Sequence, residues 1–238
     1  MKVKRIFFVM LIVSLFMSSS FSAIFGKSNN SWKDGTYIGY SDASDRTYTK
    51  AVVKIKKGKI VEVILEEINI PTGLPKDENY PWQPWQEAMK ELPKRFVEVN
   101  GSEIDVFTGA THSSEMAIQA VERALKRAEG FEGVIDGIYV GHSQISSRND
   151  RANAIIIVKE GKITEVVLNE YQDIYNTVKP KEKDSYPYEP FHQAKEEIAK
   201  KILEKGSLPV DIYTGATSSS NMWMEAVEDA MEKAGFKF

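Results

Sequence analysis

Residues 105–111 read Asp105-Val106-Phe107-Thr108-Gly109-Ala110-Thr111, and residues 211–217 read Asp211-Ile212-Tyr213-Thr214-Gly215-Ala216-Thr217. The second stretch lies 106 positions after the first (217 against 111), with Asp, Thr, Gly, Ala and Thr identical and Ile for Val, Tyr for Phe elsewhere. Each runs from a β-favouring segment through a glycine turn into helix-like sequence. Working outward, the duplication continues in the same order. Asp34-Gly35-Thr36-Tyr37-Ile38-Gly39 matches Asp136-Gly137-Ile138-Tyr139-Val140-Gly141. Lys57-Gly58-Lys59-Ile60 matches Glu160-Gly161-Lys162-Ile163, and Tyr80-Pro81-Trp82-Gln83-Pro84-Trp85 matches Tyr186-Pro187-Tyr188-Glu189-Pro190-Phe191. The offset drifts only from 102 to 106, which marks a tandem duplication of a domain-sized unit rather than a solenoid of short repeats.

Each half reads as α+β: a small antiparallel-rich sheet packed with helices. A short strand carries Tyr37 and Gly39 (Tyr139 and Gly141 in the second copy). Val52, Val53 and Ile55 then lead into a Lys57-Gly58 turn from which Ile60 to Leu65 returns, a two-residue hairpin signal repeated at Glu160-Gly161. These runs are nearly continuous in apolar residues and are expected to be central strands covered on both faces. Pro84 and Pro190 suit the first turn of a helix, where no donor is lost. The second-copy helix is expected from Pro190 to about Glu204, ended by Gly206, while Pro93 should kink or shorten its counterpart. After the repeated turn, Met116, Ala120, Val121, Ala124, Leu125 and Ala128 recur at three-and-four spacing, and Met222, Ala226, Val227, Ala230, Met231 and Ala234 answer them. Such a stripe is core, and its alanines imply close approach to a sheet.

The turn has its own chemistry. Gly109 and Gly215 permit a tight or left-handed backbone, and Ala110 and Ala216 let another group come close. Thr111 and Thr217, followed by Ser113-Ser114 and Ser218-Ser219-Ser220, stand at a helix N-terminus. Free N–H groups and the positive dipole end favour an anion such as phosphate there. Plain N-capping by Ser or Thr is the competing reading. Capping alone does not require the same Asp, Gly, Ala and two Thr in both halves. No Gly-x-x-x-x-Gly-Lys-Ser/Thr loop occurs, so nucleotide triphosphate hydrolysis has no support.

Asp-x-x-Ser/Thr-Gly-Ala-Thr followed by serines and an alanine-rich helix resembles the FMN-binding domain family. That family includes the C subunit of sodium-pumping NADH:quinone reductase, the G subunit of the related ferredoxin-dependent complex and extracytoplasmic proteins with tandem copies. The resemblance covers roughly residues 31 to 238. It implies that a flavin transferase attaches FMN through a phosphoester to Thr111 and to Thr217, giving two covalent FMN groups. Asp105, Thr108, Gly109 and Ala110, with Asp211, Thr214, Gly215 and Ala216, complete the motif. The first Asp, a poor neighbour for phosphate when ionised, is assigned to backbone organisation or transferase recognition.

The remaining sequence bounds this reading. A net charge of −3 over 238 residues gives no basic nucleic-acid footprint. The absence of cysteine excludes disulfides, thiolate zinc sites, cysteine-ligated clusters and a lipid-modified N-terminal cysteine. Lys2, Lys4 and Arg5 precede an apolar run from Ile6 to Met17, and Ser18 to Ala23 supplies small residues for signal cleavage before Ala23. The rival is an uncleaved anchor from Ile6 to Phe25, about the 20 residues a bilayer requires; the serines favour cleavage. Residues 1–25 are thus signal peptide or anchor, 31–131 the first FMN-binding domain and 135–238 the second. Either way the body lies outside the cytoplasm, in the periplasm or at the cell surface.

Trp82, Trp85, Tyr188, Phe191, Phe107 and Tyr213 are candidates to stack on a flavin ring, with plain core packing as the alternative. His112 follows the first threonine, with Ser218 in its place in the second copy. His142 and His192 support no metal site, and Glu66, Glu67 and Glu170 read as a solvated strand end. The resulting expectation is an exported electron carrier, more a relay than an enzyme with its own substrate, and no catalytic residue is assigned. It would relay electrons from a membrane reductase or quinone-linked donor to an extracytoplasmic acceptor, with a hop across the short Glu129-to-Val134 connection. Two alternatives stay open: a flavin-dependent reductase of a small acceptor, and a non-redox tandem module whose threonine turns are structural caps.

Overall fold

The computed structural model describes residues 32–238. The signal or anchor segment and the linker at 26–31 lie outside the described residues. The described part is one compact unit, Trp32–Phe238, built from two copies of one α+β motif. The first copy holds β1 (Gly35–Tyr40), β2 (Thr47–Lys56), β3 (Lys59–Asn69), α1 (Gln83–Val99) and α2 (Thr111–Ala128). The second holds β4 (Gly137–His142), β5 (Arg151–Lys159), β6 (Lys162–Gln172), the two-residue β7 (Lys179–Pro180), α3 (Glu189–Lys205) and α4 (Thr217–Ala234). Both sheets are antiparallel, in the orders β1-β2-β3 and β4-β5-β6-β7, so β2, β5 and β6 are central as expected, whereas β3 is an edge strand. Each has its register shift at the same place, Lys54/Ile55 and Ile157/Val158.

The hairpins turn at Lys57-Gly58 (φ 53° and 67°) and Glu160-Gly161 (52° and 71°). Two successive positive φ values match the right-handed strand twist. The Asp-Gly pair that opens each half now has a reason. Asp34 Oδ1 accepts the Gly58 N–H at 3.1 Å, and Asp136 accepts those of Glu160 and Gly161 at 2.7 and 2.9 Å. Backbone donors from Lys57 and Gly58 hold the Asp34 carboxyl below its ordinary value.

All twelve stripe residues of α2 and α4 are buried. α2 packs on β1 and β2, and α4 on β4 and β5. Gly39 and Gly141 allow the closest approach: a Cβ on Gly39 would lie 2.1 Å from the Ala120 carbonyl oxygen, and one on Gly141 1.9 Å from that of Ala226.

Two expectations need correction. The first sheet is only partly covered on the face away from α2: Tyr48 and Ile68 are buried there, but Ile38 (45% exposed) and Ile64 (48%) are open, so apolar continuity overstated burial. Nor does Pro93 shorten its helix: α1 and α3 are both 17 residues long. An interior proline costs about 3 kcal/mol, but the flanking Leu92 and Phe96 are fully buried. Each such side chain stabilises by roughly 1.5–3 kcal/mol, enough to carry the helix through. Pro84 and Pro190 sit in the first turn, and Gly206 (φ 67°) ends α3.

Candidate functional site

Thr111 and Thr217 are the first residues of α2 and α4, and both are exposed. The N-cap is not a hydroxyl residue in either copy. It is Ala110 (φ −134°) or Ala216 (φ −133°), with no side-chain cap bond. Alanine is among the poorest N-caps, so the two turns do not have the geometry of structural caps. The first N–H groups of a helix have no partner within it. Each threonine hydroxyl therefore opens to solvent beside free donors at the positive end of an 18-residue helix.

The turn is held from inside. Ser114 Oγ, fully buried, accepts the Phe107 N–H and donates to the Ala110 carbonyl, each at 2.9 Å. Ser220 does the same for Tyr213 (3.3 Å) and Ala216 (2.8 Å). Gly109 (φ 85°) and Gly215 (φ 89°) have the left-handed backbone that glycine favours. A Cβ on Gly109 would also meet Pro84 at 3.1 Å. From outside, Trp82 Nε1 donates to the Gly109 carbonyl at 3.1 Å, and Tyr188 Oη to that of Gly215 at 3.0 Å. The same loop position thus clasps the same carbonyl through two different aromatic donors.

The six aromatic candidates separate by position. Trp85 and Phe191 are core. Phe107 packs against the first core with Arg95 5.5 Å from its ring, and Tyr213 packs against the second and donates to Gln193. Only Trp82 (55% exposed) and Tyr188 (47%) present open surface at the turns. Thr108 and Thr214 are exposed. So are Asp105 and Asp211, whose carboxylates form no hydrogen bond within the described residues; the expected backbone-organising role is absent, and Arg95 binds the Asp105 carbonyl instead. His112 is exposed, whereas His142 and His192 are buried and bonded to the carbonyls of Ile70 and Tyr186.

Glu67 (2% exposed) and Glu170 (3%) are not solvated. Each forms a buried ion pair, that of Glu67 beside the first turn, a feature the sequence reading missed. Glu67 takes Lys76 at 2.5 Å on one oxygen and the Trp85 indole N–H at 2.7 Å on the other. Burial alone would raise the Glu67 pKa, but Lys76, Ser113 and Trp85 together hold it below its ordinary value. Glu170 pairs with Lys181, which also meets Asp150 at 3.0 Å. Burial would lower the Lys181 pKa; the two carboxylates outweigh it and raise it. The offset between the lysines, 181 against 76, follows neither flanking block, which hid the pairing from sequence alignment of the halves.

In the first half Lys76, Tyr80, Trp82, Trp85, Gly109, Ala110, Thr111, His112 and Ser113 line a cleft of about 170 Å³. A larger hollow of about 560 Å³ lies between Lys33, Arg127, Phe131 and Phe236. It sits at the C-terminal ends of α2 and α4, where free carbonyls repel phosphate. Its Arg127 already binds the carbonyls of Phe131, Gly133 and Ala234. The turn is the better anion site.

The fold is a tandem pair of α+β units, each with an exposed threonine hydroxyl at the N-terminus of its last helix. The FMN-binding domain profile matches residues 46–126 and 149–232, and the chain belongs to that family, as a tandem pair of FMN-binding domains. The CPE2226 protein from Clostridium perfringens, known from a crystal structure, is 32% identical over 42% of this chain and 90% of its own, with a TM-score of 0.37. No curated protein matches. The residues present fit FMN: an open threonine, free helix donors and an exposed aromatic surround each opening, and Lys76 lines the first. The cleft is smaller than the roughly 300–1,000 Å³ of pockets that enclose a ligand, so its walls alone would retain a flavin weakly.

Proposed function

We propose that the chain is an extracytoplasmic electron-transfer flavoprotein carrying two FMN groups, phosphoester-linked to Thr111 and Thr217. The observation that carries this is the uncapped, exposed threonine at the first position of both helices. A phosphate esterified there lies at unsatisfied N–H groups, and the shallow cleft makes a covalent tether useful outside the cytoplasm, where a dissociated cofactor is lost. When bound, the flavin supplies the redox chemistry; the protein supplies position and electrostatics. Gly109 and Gly215 shape the turn, Ser114 and Ser220 lock it, Trp82 and Tyr188 clasp it, and Asp105 and Asp211 face outward for the maturation enzyme. Electrons enter from a membrane reductase or quinone-linked donor and leave to an extracytoplasmic acceptor. The N-terminal apolar segment exports the body. Among the described residues no helix is long and apolar enough to cross a membrane.

The test is intact-mass measurement after coexpression with a flavin transferase. Two FMN adducts are expected, one lost in Thr111→Ala, one in Thr217→Ala and both in the double variant. Colourless protein of unmodified mass refutes the attachment.

A further inference from the structure

Resting on that reading, we propose that the two sites are electrostatically unequal. Lys76 stabilises the reduced flavin at Thr111 and its counterpart Lys181 is withheld from the flavin at Thr217, so the flavin of the first half has the higher potential. The inequality comes from two substitutions beneath otherwise matching turns. Where the first half has Trp85, the second has Phe191, which offers no N–H. Glu67 therefore shares its charge among Lys76, Trp85 and Ser113, while Glu170 turns to Lys181 and leaves its other oxygen buried without a partner. Where the first half begins its central strand with Thr47, the second has Asp150, a further carboxylate 3.0 Å from the same ammonium. The two start positions are equivalent: the Thr47 N–H binds Ser44 Oγ and the Asp150 N–H binds Ser146 Oγ, both at 3.0 Å.

Lys76 thus answers to one carboxylate, Lys181 to two. Lys76 lines the cleft into which Thr111 opens, and its side chain keeps 11% exposure against 4% for Lys181. Lys195 is the other cation near Glu170, but it reaches round to Asn169 Oδ1 at 3.3 Å; successive strand residues face opposite sides, so Asn169 directs it away from the Glu170 face. A cation beside a flavin favours the electron-rich reduced form.

The experiment is spectroelectrochemical titration of two single-flavin proteins, Thr217→Ala and Thr111→Ala, with intact masses taken on the same samples. The Thr217→Ala protein, keeping the flavin at Thr111, should show the higher potential. Adding Lys76→Met should lower it. Because that change leaves Glu67 unpaired and endangers folding, Asp150→Thr in the Thr111→Ala background is the second arm and should raise the potential of the other flavin. Equal or inverted potentials in proteins whose masses show the flavin, or no response to Asp150→Thr, overturn the inference while leaving the attachment intact. Unmodified masses overturn both.

Discussion

Replacing Ser114 by alanine tests whether the turn is held by one buried hydroxyl. Ser114 Oγ makes two hydrogen bonds of 2.9 Å from a fully buried position. Its loss affects the two partners differently. The Ala110 carbonyl still receives the Ser114 backbone N–H at 3.0 Å, so it stays satisfied. The Phe107 N–H has no second acceptor, and an orphaned buried donor costs about 1–3 kcal/mol. Phe107 is only part-buried, which places the expected loss near the middle, about 2 kcal/mol. Ser220→Ala provides the internal control. There the Tyr213 N–H sits at 3.3 Å, already a long bond, so its removal should cost about half as much. Urea unfolding of the two variants reads stability, and peptide mass mapping after coexpression with the transferase reads FMN occupancy. Ser114→Ala should lower the midpoint more than Ser220→Ala and reduce occupancy at Thr111 without changing Thr217. Equal midpoints, or full occupancy despite the lost bond, would refute the idea that this hydroxyl shapes the attachment turn.

Two further outcomes follow from packing and burial. Gly141→Ala would drive a methyl to 1.9 Å from the Ala226 carbonyl oxygen and 2.3 Å from the Ala230 nitrogen, both helix backbone. Overpacking typically costs about 1–3 kcal/mol, occasionally more, and since α4 must lift off its strand the upper end or insoluble protein is expected; a stable, soluble variant would contradict the close strand–helix contact. His142 is buried against Tyr48 and donates to the Ile70 carbonyl at 2.9 Å. Burial first, then the charges of Lys233 and Arg151, lower its pKa to about 3, against weaker opposition from that carbonyl and Asp229. Between the ordinary 6.5 and that value the unfolded chain binds a proton that the folded chain refuses. Stability should therefore be present above pH about 6.5 and fall on acidification, by at most about 1.4 kcal/mol per pH unit from this group. Urea midpoints from pH 8 to 4 should fall more steeply for the wild type than for His142→Phe; parallel curves would remove His142 as the cause.

Much of the fold was legible because duplication tests each local signal twice. The Lys57-Gly58 and Glu160-Gly161 hairpins, the alanine stripes and the proline-led helices recur in both halves, and local backbone rules suffice for them. The glycine turn leading into each closing helix was legible for the same reason. What escaped depends on side chains distant in sequence. Glu67 and Lys76 look like two surface charges until Trp85 closes over them, and no periodicity announces a buried ion pair. The capping rival could not be dismissed from sequence either, because Ser and Thr at a helix start suit it well; only the backbone shows that the N-cap falls on Ala110. Both-face coverage of the strands was misjudged for a related reason. An apolar run records how hydrophobic a strand is, while what covers it is set by the other half of the chain.

That last point explains where the two copies diverge. The outer face of the second sheet, at Val140 and Ile155, is covered by Tyr48, Ile68 and Ile70 of the first half. The matching face of the first sheet supplies Tyr48 and Ile68 to this contact, while Ile38 and Ile64 further along it stay exposed. The two copies therefore meet through the same face of the unit, at different positions along it. Several of the contacts are made by residues that the repeat does not preserve. Arg123 pairs with Asp42 at 2.6 Å and reaches the Asp136 carbonyl, but the equivalent of Arg123 is Asp229, which accepts the His142 N–H at 2.7 Å. Tyr48 stacks on His142, while its own equivalent, Arg151, reaches across to the Thr72 carbonyl at 2.9 Å. Asn153 and Lys233 add bonds to Ile70 and to Tyr48. Divergence at the join contrasts with identity at the turns: the halves meet at non-equivalent positions of that face, while both keep the Thr-Gly-Ala-Thr sequence. The buried charges beneath the turns belong to neither class, and the substitution of Asp150 for Thr47 and of Phe191 for Trp85 is therefore the difference to follow when asking what the second site does that the first does not.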